Sequence, residues 1–454
     1  MKTAAVALAW VAIALSAAWA DDGPAPSAPP TPGAAPAPAG PSAATLGWPA
    51  DTSTVEVTTT SHVLDQPHRK ARTLGKIVRG TRVTVVSFAA GDRRCKVWVG
   101  IAPVGFLCAK AVRPTTAAPG GQVQPVVDDD RAILPGAYFD VGADDTPAYA
   151  DATAVRAGAP RELLSTHTMV RSRGEVEVDG VDYQQTNKGL VPSSELRRLA
   201  GSSFAGLDLR TTPAPWPMAF VQPKHPVIVR ATPDKRGAKV DQRDARSVVW
   251  VKATQGDWTA IGVDQWVRSS ELRYVTLAPP PTGLAADAPW IDVDLDQQTL
   301  VAYQGGAPVY VTLVSTGRRK GTTPVGTYRI VAKAATTRMA AEADEASQYD
   351  VGEVPWALRW KSGLFLHAAY WHDSFGDKKS HGCVNLSPRD ARALYEWATP
   401  IAPIGWSELE ILVDDAVVVR VRDATHPDPP WFDYAKERPN KKPKAPKLPT
   451  APTP

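Results

Sequence analysis

A short stretch near the C-terminal end of this 454-residue chain holds residue types suited to nucleophilic catalysis. Cys383 is preceded by His381 and Gly382 and followed by Asn385, and a second histidine, His367, lies in an alternating apolar run. A thiol has an ordinary pKa of about 8.5, so it needs a base to supply thiolate at neutral pH. Glycine lets backbone N–H groups approach a reacting carbonyl closely. Cys383 is therefore a candidate nucleophile, with an imidazole as its activating base.

Two histidines compete for the role of base, and strand geometry separates them. In an extended stretch, His381 and Cys383 would share a face but lie roughly 7 Å apart. If the segments of His367 and Cys383 pair as strands, the Cβ of His367 can come within about 5 Å of a cross-strand partner. We predict that His367 is the general base and lowers the thiol pKa towards about 6. His381 then becomes a structural or substrate-facing residue, whose carbonyl orients the His367 imidazole.

Two other interpretations of the same residues stay open at this point. An isolated cysteine can be a buried structural thiol, and one left over in an exported protein can form an intermolecular disulfide. A zinc site could use nitrogen and sulfur ligands from His367, His372, His381 and Cys383. Their spacing matches no familiar zinc signature, and few carboxylates lie nearby, which disfavours the zinc interpretation.

The stretches 367–376 and 380–387 together strongly resemble the L,D-transpeptidase catalytic domain of the YkuD type. That family's pattern is a histidine on a strand, a gap of a dozen or so residues, and then Ser/Thr-His-Gly-Cys-x-Asn/Arg. The sequence here is Ser-His-Gly-Cys-Val-Asn at 380–385, and the glycine-bearing stretch 315–328 is similar to the family's earlier motif. The resemblance covers roughly residues 290–422. Ala368 departs from it, because many members have Gly or Ser after the first histidine.

The resemblance implies an exported enzyme that acts on peptidoglycan stem peptides and uses no metal and no cofactor. Cys383 would attack the carbonyl of the L-centre residue of a tetrapeptide, release D-alanine and form a thioester. An amine from a second stem would resolve it as a 3→3 cross-link. Water as acceptor would make the enzyme an L,D-carboxypeptidase, and a protein lysine would make it an anchoring enzyme. A catalytically silent wall-binding scaffold and a secreted cysteine protease are the rival classes.

The remaining site predictions follow from this assignment. The backbone N–H groups of Gly382 and Cys383 would form the oxyanion hole. We also predict substrate-binding residues around the nucleophile, which are Tyr349, Trp356, Trp371, Ser380 and Asn385.

The termini predict an exported protein with extended ends. Lys2, an apolar run to residue 20 and an Ala-Trp-Ala end are typical of a signal peptide, residues 1–20. A Pro/Ala-rich linker follows at 21–50, and a Pro/Lys-rich disordered tail is predicted at 426–454. The run is a little short for a membrane anchor, and no later segment is long and apolar enough to span a bilayer. We therefore predict the periplasm or cell envelope as the location.

The middle of the chain contains an internal repeat. The segment 189–199 reappears at 265–275 with the shared core Ser-Ser-Glu-Leu-Arg, and a weaker copy lies at 105–112. Short alternating runs upstream of each copy predict β-strands. The first and third repeats (51–113 and 216–276) resemble bacterial SH3-like domains, and the second repeat (126–210) is a divergent one. Such modules would fit binding to a wall polymer.

The fold class predicted for the whole chain is mostly β, with small SH3-like barrels followed by a β-rich catalytic domain. A short helix should follow Cys383, because Ser387 can cap it and Pro388 suits its first turn. Cys95 and Cys108 lie on adjacent predicted strands, so we predict a disulfide between them. The net charge of +4, from 51 Lys+Arg and 47 Asp+Glu, excludes a strongly basic nucleic-acid binder.

Overall fold

The computed structural model describes residues 40–435, apart from Asp128, Asp130, Pro223 and 342–348. The predicted signal peptide, most of the Pro/Ala-rich linker and most of the C-terminal tail lie outside the described residues. The described chain is mostly β, which confirms the predicted fold class. Among the described residues, no helix is both long and apolar enough to cross a bilayer.

Each repeat is built from a series of short strands. The first repeat contains β1 (Thr54–Val57), β2 (Ser61–Leu64), β3 (Thr73–Ile77), β4 (Arg82–Ala90), β5 (Val97–Ile101), β6 (Phe106–Cys108) and β7 (Val112–Pro114). The second contains β8 (Ala137–Val141), β9 (Thr146–Ala148), helix α1 (Ala152–Arg156), β10 (Glu162–Leu164), β11 (Thr168–Val178), β12 (Val181–Thr186), β13 (Gly189–Pro192) and β14 (Leu196–Leu199). After the short β15 (Leu207–Asp208), the third contains β16 (Met218–Val221), β17 (Val227–Arg230), β18 (Lys239–Arg243), β19 (Val248–Trp250), β20 (Ala253–Gln255), β21 (Trp258–Gly262), β22 (Gln265–Arg268) and β23 (Leu272–Val275).

The three repeats share one pairing plan. In each, the first strand lies antiparallel to both a middle strand and the last strand: β1 with β4 and β7, β8 with β11 and β14, β16 with β19 and β23. A 3-10 turn precedes each last strand, at Ala109–Ala111, Ser193–Glu195 and Ser269–Glu271. The repeated Ser-Ser-Glu sequence is this turn. The second repeat therefore follows the same strand plan as its neighbours, and its SH3-like character stays a prediction.

Both ends of the described chain are more ordered than the sequence predicts. A 3-10 turn spans Ala43–Leu46, Ala43 is buried, and Trp48 packs edge-on against Phe88 of the first repeat. Near the other end, the indole of Trp431 donates to the carbonyl of Thr282 at 2.8 Å. The predicted linker boundary at residue 50 and tail boundary at residue 426 are therefore wrong, because apolar and aromatic side chains there cover the folded core.

The region with Cys383, called the Cys383 domain below, is a pair of sheets with one helix. Its elements are β24 (Pro289–Asp294), β25 (Thr299–Gln304), β26 (Ala307–Leu313), β27 (Gly326–Arg329), β28 (Ala332–Ala340), β29 (Asp350–Lys361), β30 (Leu364–Ala368), β31 (Val384–Leu386), helix α2 (Pro388–Trp397), β32 (Trp406–Glu410) and β33 (Val418–Arg422). One sheet has the order β15-β26-β25-β24-β33-β27. The other runs β31-β30-β29-β28-β32. Side chains from both sheets and from helix α2 form the apolar core of this domain, which includes Trp360 and Leu366.

Helix α2 anchors the strand that follows Cys383. Its N-terminus is capped as predicted, with the Ser387 hydroxyl accepting the Asp390 amide at 3.1 Å. The buried Asp390 carboxylate also accepts from the hydroxyls of Tyr310 and Thr312 at 2.7 and 2.5 Å. Burial raises the pKa of Asp390, against the opposing effect of these hydrogen bonds. The helix start is therefore tied to β26 by buried polar contacts, which hold the end of β31 in place.

The first repeat joins the Cys383 domain through a shared antiparallel ladder. β3 pairs with β32, so that Gly75 lies opposite Leu409 and Ile77 opposite Trp406. Trp406 is only 1% exposed and packs in the core of the first repeat. A Cβ on Gly75 would lie 2.2 Å from the Glu408 carbonyl oxygen, so only glycine fits at this crossing. The described residues from Pro41 onward accordingly belong to one compact unit.

We predict that the Trp406→Ala substitution lowers the free energy of unfolding of the whole chain by about 3–5 kcal/mol, because it leaves a cavity between two packed elements. Urea unfolding followed by far-UV circular dichroism measures this loss. Trp266→Ala on β22, a partly exposed tryptophan of the third repeat, is the matched control and should cost clearly less. Equal losses in the two variants would show that the β3–β32 junction contributes no special stability.

Candidate active site

The two strands that carry the predicted catalytic pair lie side by side. β30 and β31 are parallel neighbours, with His367 opposite Asn385 and Leu366 opposite Val384. Cys383 directly precedes β31, so it lies diagonally across from His367 rather than directly opposite it. We expected His367 and Cys383 to lie directly opposite each other. The observed pairing offsets them by two residues, which is one side-chain position along that face. A diagonal separation in a sheet is still within reach of a long side chain.

The His367 imidazole is buried and held in one tautomer. Its side chain is 1% exposed, and Nδ1 lies 3.1 Å from the carbonyl oxygen of Ala368. A carbonyl oxygen only accepts, so Nδ1 carries the proton and Nε2 is left as the basic nitrogen. The orienting carbonyl is that of Ala368, and the predicted use of the His381 carbonyl is wrong. Burial lowers the pKa of His367 to about 4, so the ring is neutral at pH 7.

Cys383 carries a free thiol in enclosed surroundings. The residue is partly exposed, and its Sγ lies 3.7 Å from the carbonyl oxygen of Gly363. Burial raises the pKa of the Cys383 thiol to about 11, although the backbone N–H of Phe365 opposes the shift. The expected depression to about 6 is therefore not found, because burial disfavours the thiolate. In the substrate-free protein the pair is a neutral thiol and a neutral imidazole.

The loop before Cys383 is closed by hydrogen bonds of its own. The Ser380 hydroxyl donates to the Cys383 carbonyl at 2.6 Å and accepts the Gly382 amide at 3.0 Å. The Thr323 hydroxyl donates to the Gly382 carbonyl at 2.7 Å. A Cβ on Gly382 would lie 2.8 Å from the Thr322 carbonyl oxygen, so the close approach requires glycine. The stretch 315–328 thus packs against the loop that precedes Cys383 and restrains it.

These bonds revise two predictions. Gly382 and Cys383 do not form a ready oxyanion hole, because the Gly382 amide is already bonded to Ser380. Ser380 lines the cleft, but its hydroxyl is engaged within the loop and not directed to a substrate.

His381 lies on the exposed side of the loop that precedes Cys383, and this position does not suit the role of base. Its Nε2 is 3.0 Å from a guanidinium nitrogen of Arg318, which can only donate, so Nε2 accepts. The ring of Tyr349 stacks on it with centroids 4.8 Å apart. Tyr349, His381 and the neighbouring Lys379 all line the cleft. This side of the cleft is therefore polar, and its positive charge comes from Lys379 and from the Arg318 guanidinium beside His381.

Asn385 and Trp371 flank His367. The Asn385 side-chain amide lies 2.9 Å from Nε2 of His372, and both residues are largely buried. Burial lowers the pKa of His372 to about 4. The Trp371 ring stacks near His367 with centroids 5.8 Å apart. Trp371 and Asn385 line the cleft as predicted substrate-binding residues should, whereas His372 enters as a partner of Asn385.

Trp356 is a correction to the predicted site. Its side chain is 2% exposed and belongs to the apolar core of the Cys383 domain. It is not among the residues that line the cleft of Cys383. The prediction of Trp356 as a substrate-binding residue is wrong, because its side chain packs inward.

The loop between β30 and β31 is restrained by residues that lie outside the Cys383 domain. Arg246 of the third repeat forms a two-pronged ion pair with Asp373, with one distance of 2.7 Å, and Ser202 donates to the same carboxylate. Burial raises the pKa of Asp373, but the interactions with Arg246 and Ser202 together outweigh burial, so the net shift of the pKa is downward. Arg273 donates to the Gly376 carbonyl at 3.0 Å. The third repeat therefore restrains the 369–380 loop.

The cleft at Cys383 has a volume of about 260 Å³ and is built by two parts of the chain. Besides residues of the Cys383 domain, it is lined by His167 and Met169 of the second repeat. The sequence analysis missed both residues, and no local motif marks them. Only the pairing of β11 with β29 brings them to the nucleophile.

Two points from the sequence analysis remain, which are the alternative of a zinc site and the predicted disulfide. No three His, Cys, Asp or Glu side chains within the described part of the chain come together in a metal-binding arrangement, so the zinc alternative has no geometric support. Cys95 and Cys108 are joined as a disulfide with Cα atoms 5.8 Å apart. Cys383 is thereby left without a disulfide partner.

Comparison with known families identifies one part of the chain. Residues 288–419 match the YkuD family model, which describes an L,D-transpeptidase catalytic domain. The match covers under a third of the chain, so it identifies a domain and not the whole protein. No curated protein matches this chain.

Several solved structures are similar to part of the chain. An L,D-transpeptidase from Enterococcus faecium is 20% identical, with 30% of this chain and 50% of that one covered and a TM-score of 0.24. L,D-transpeptidase 3 from Mycobacterium tuberculosis, with a faropenem-derived adduct, is 22% identical over 35% and 72%, with a TM-score of 0.24. An L,D-transpeptidase from Mycobacterium smegmatis is 22% identical over 46% and 96%, with the same TM-score. This chain spans half the length of the Enterococcus faecium protein.

We predict that iodoacetamide alkylates Cys383 slowly at pH 7 and progressively faster up to at least pH 10, because the thiolate is the reactive form and the thiol pKa is about 11. Intact-protein mass spectrometry follows the reaction. The urea-denatured protein is the control and should show an ordinary thiol pKa of about 8.5. A rate plateau near pH 6–7 in the folded protein would contradict a neutral thiol and indicate a thiolate–imidazolium pair.

Proposed function

We propose that this chain is an exported L,D-transpeptidase that acts on peptidoglycan stem tetrapeptides. The observation that carries the proposal is the buried His367, whose Nδ1 is held by the Ala368 carbonyl on the strand next to Cys383. The segment that contains both residues matches the L,D-transpeptidase catalytic domain. A fixed base beside a cysteine in a cleft is the arrangement that nucleophilic acyl transfer needs.

The proposed first half-reaction forms a thioester. As Sγ of Cys383 adds to the carbonyl carbon of the L-centre residue, Nε2 of His367 takes the thiol proton. The tetrahedral intermediate collapses, the C–N bond to the terminal D-alanine breaks, and the imidazolium gives its proton to the departing amine. Because both groups start neutral, proton transfer accompanies sulfur attack and does not precede it.

The second half-reaction regenerates the thiol. The amine of a second stem adds to the thioester carbonyl and passes a proton to His367. The C–S bond then breaks, an amide cross-link forms and the thiolate recovers the proton. The oxyanion of both intermediates would be received by the Cys383 amide. The Gly382 amide would join it after leaving the Ser380 hydroxyl.

Positive side chains at the cleft support an anionic peptide substrate. Lys379 lines the cleft, and the Arg318 guanidinium lies against His381, which also lines it. Stem peptides carry several carboxylates, so these groups would draw the donor towards the nucleophile. Export to the cell envelope belongs to the same proposal, since the substrate lies there.

We predict that Cys383→Ala abolishes release of D-alanine from disaccharide-tetrapeptides while the fold persists, because the change removes the nucleophile and little volume. Mass spectrometry of the products separates a cross-linked dimer from a tripeptide, and so transpeptidation from hydrolysis. Faropenem, which forms an adduct with the Mycobacterium tuberculosis enzyme, should likewise acylate Cys383. An adduct that persists in Cys383→Ala would refute the assignment of the nucleophile.

We predict that His367→Gln lowers kcat for the tetrapeptide about 100-fold or more, because the general base is lost. His381→Gln is the matched control and should lower kcat by less than about tenfold, since His381 is exposed and faces Arg318. The two rates measured side by side decide between the histidines. The reverse order would make His381 the base.

A further inference from the structure

An apolar row crosses three strands at the edge of the cleft. Met169 on β11 lies opposite Val351 on β29, and Val351 lies opposite Met339 on β28. All three side chains line the cleft of Cys383. The row therefore joins a residue of the second repeat to two residues of the Cys383 domain in one continuous surface.

The second repeat is fixed firmly against this part of the cleft. The Asp350 amide donates to the His167 carbonyl at 3.0 Å, and Lys188 lies 2.8 Å from the Asp350 carboxylate. Burial raises the pKa of Asp350, but its bonds to Arg338 and Lys188 outweigh this and the net shift is downward. Asp350 thus stays charged and keeps both ion pairs at neutral pH.

A second set of contacts lies three residues along β29. Arg171 lies 3.0 Å from a Glu353 carboxylate oxygen, and Arg173 contacts the other oxygen. The hydroxyl of Tyr138 donates to the Glu353 carbonyl at 3.0 Å, and its ring lies 4.3 Å from that of Tyr370. These contacts hold the second repeat against β29 and so fix the position of Met169 at the cleft. A loosely tethered module would not hold a cleft-lining side chain in this way.

The cleft consequently has two chemically different sides. The row offers two thioethers and a branched alkyl group, whereas Lys379 and the Arg318 guanidinium beside His381 mark the positive side. Methionine is flexible and polarizable, so it fits aliphatic groups of irregular shape. An acidic peptide that lies across Cys383 can direct its carboxylates to the positive side and an aliphatic side chain to the row.

We propose that the row Met169–Val351–Met339 is a subsite for an aliphatic side chain of the acyl-donor peptide, and that Met169 makes the second repeat a specificity-determining part of the enzyme. This inference rests on the proposed function, since it assigns a position to the donor of that reaction. Met169 is a positioning residue and takes no part in proton transfer or bond formation.

The test compares full-length variants with a soluble tetrapeptide donor. Met169→Asp should raise KM about tenfold or more, because a carboxylate would replace the apolar contact and repel an anionic peptide, and should leave kcat nearly unchanged. Met169→Leu, which keeps the volume and the apolar character, should retain the wild-type KM within about twofold. Leu163→Asp is the matched control, because Leu163 lies on the same repeat and is 58% exposed. It should match the wild type.

Two further readouts separate misfolding and failure of the proposed function from failure of this inference. The rate of Cys383 alkylation by iodoacetamide reports on the site without using the row and should be the same in all variants. Protection of Cys383 from alkylation by the tetrapeptide measures donor binding even without turnover, and Met169→Asp should weaken it about tenfold. Wild-type KM and protection in Met169→Asp, with an unchanged alkylation rate, would overturn the inference. Protection without turnover in the wild-type protein would contradict the proposed activity and leave the subsite supported. Loss of protection and of turnover in the wild-type protein would overturn the proposed function and the subsite together.

Discussion

The parallel pairing of β30 with β31 is the constraint on which the rest of the site depends. It places a buried imidazole and a thiol on one face of neighbouring strands, with one step of offset between them. The elements around the pair hold this register. Helix α2 is tied by Asp390 to β26, and the Ser315 backbone exchanges 2.9 Å hydrogen bonds with Asn385. A shift of one residue would turn Cys383 to the opposite face, because side chains alternate along a strand.

Burial sets the protonation of both groups. Desolvation lowers the pKa of His367 to about 4 and raises that of Cys383 to about 11. Both shifts favour the neutral forms, so the resting site avoids burying an ion pair. A neutral thiol is a weak nucleophile, so the free Cys383 thiol is expected to react slowly at neutral pH.

The three repeats have distinct structural relations to the site although they share one strand plan. The first completes its own core with Trp406 of β32, the second lines the cleft with His167 and Met169, and the third restrains the 369–380 loop through Arg246. The repeats thus frame the cleft of Cys383, and their binding to a wall polymer stays a prediction. Removing them would expose buried apolar surface and cut strand ladders, so they are not simple spacers.

The sequence by itself was enough to predict the candidate nucleophile, its candidate base and their local setting. Cys383, His367, the capped helix at Ser387 and the repeated Ser-Ser-Glu turn all follow from residues close together in the chain, where spacing and propensity are informative. Only the tertiary structure decided which carbonyl orients His367, that Trp356 packs inward, and that Met169 reaches the cleft. Those outcomes depend on strand register and on burial between segments far apart in the chain. Local patterns carry no record of either, because pairing and desolvation are properties of the assembled fold.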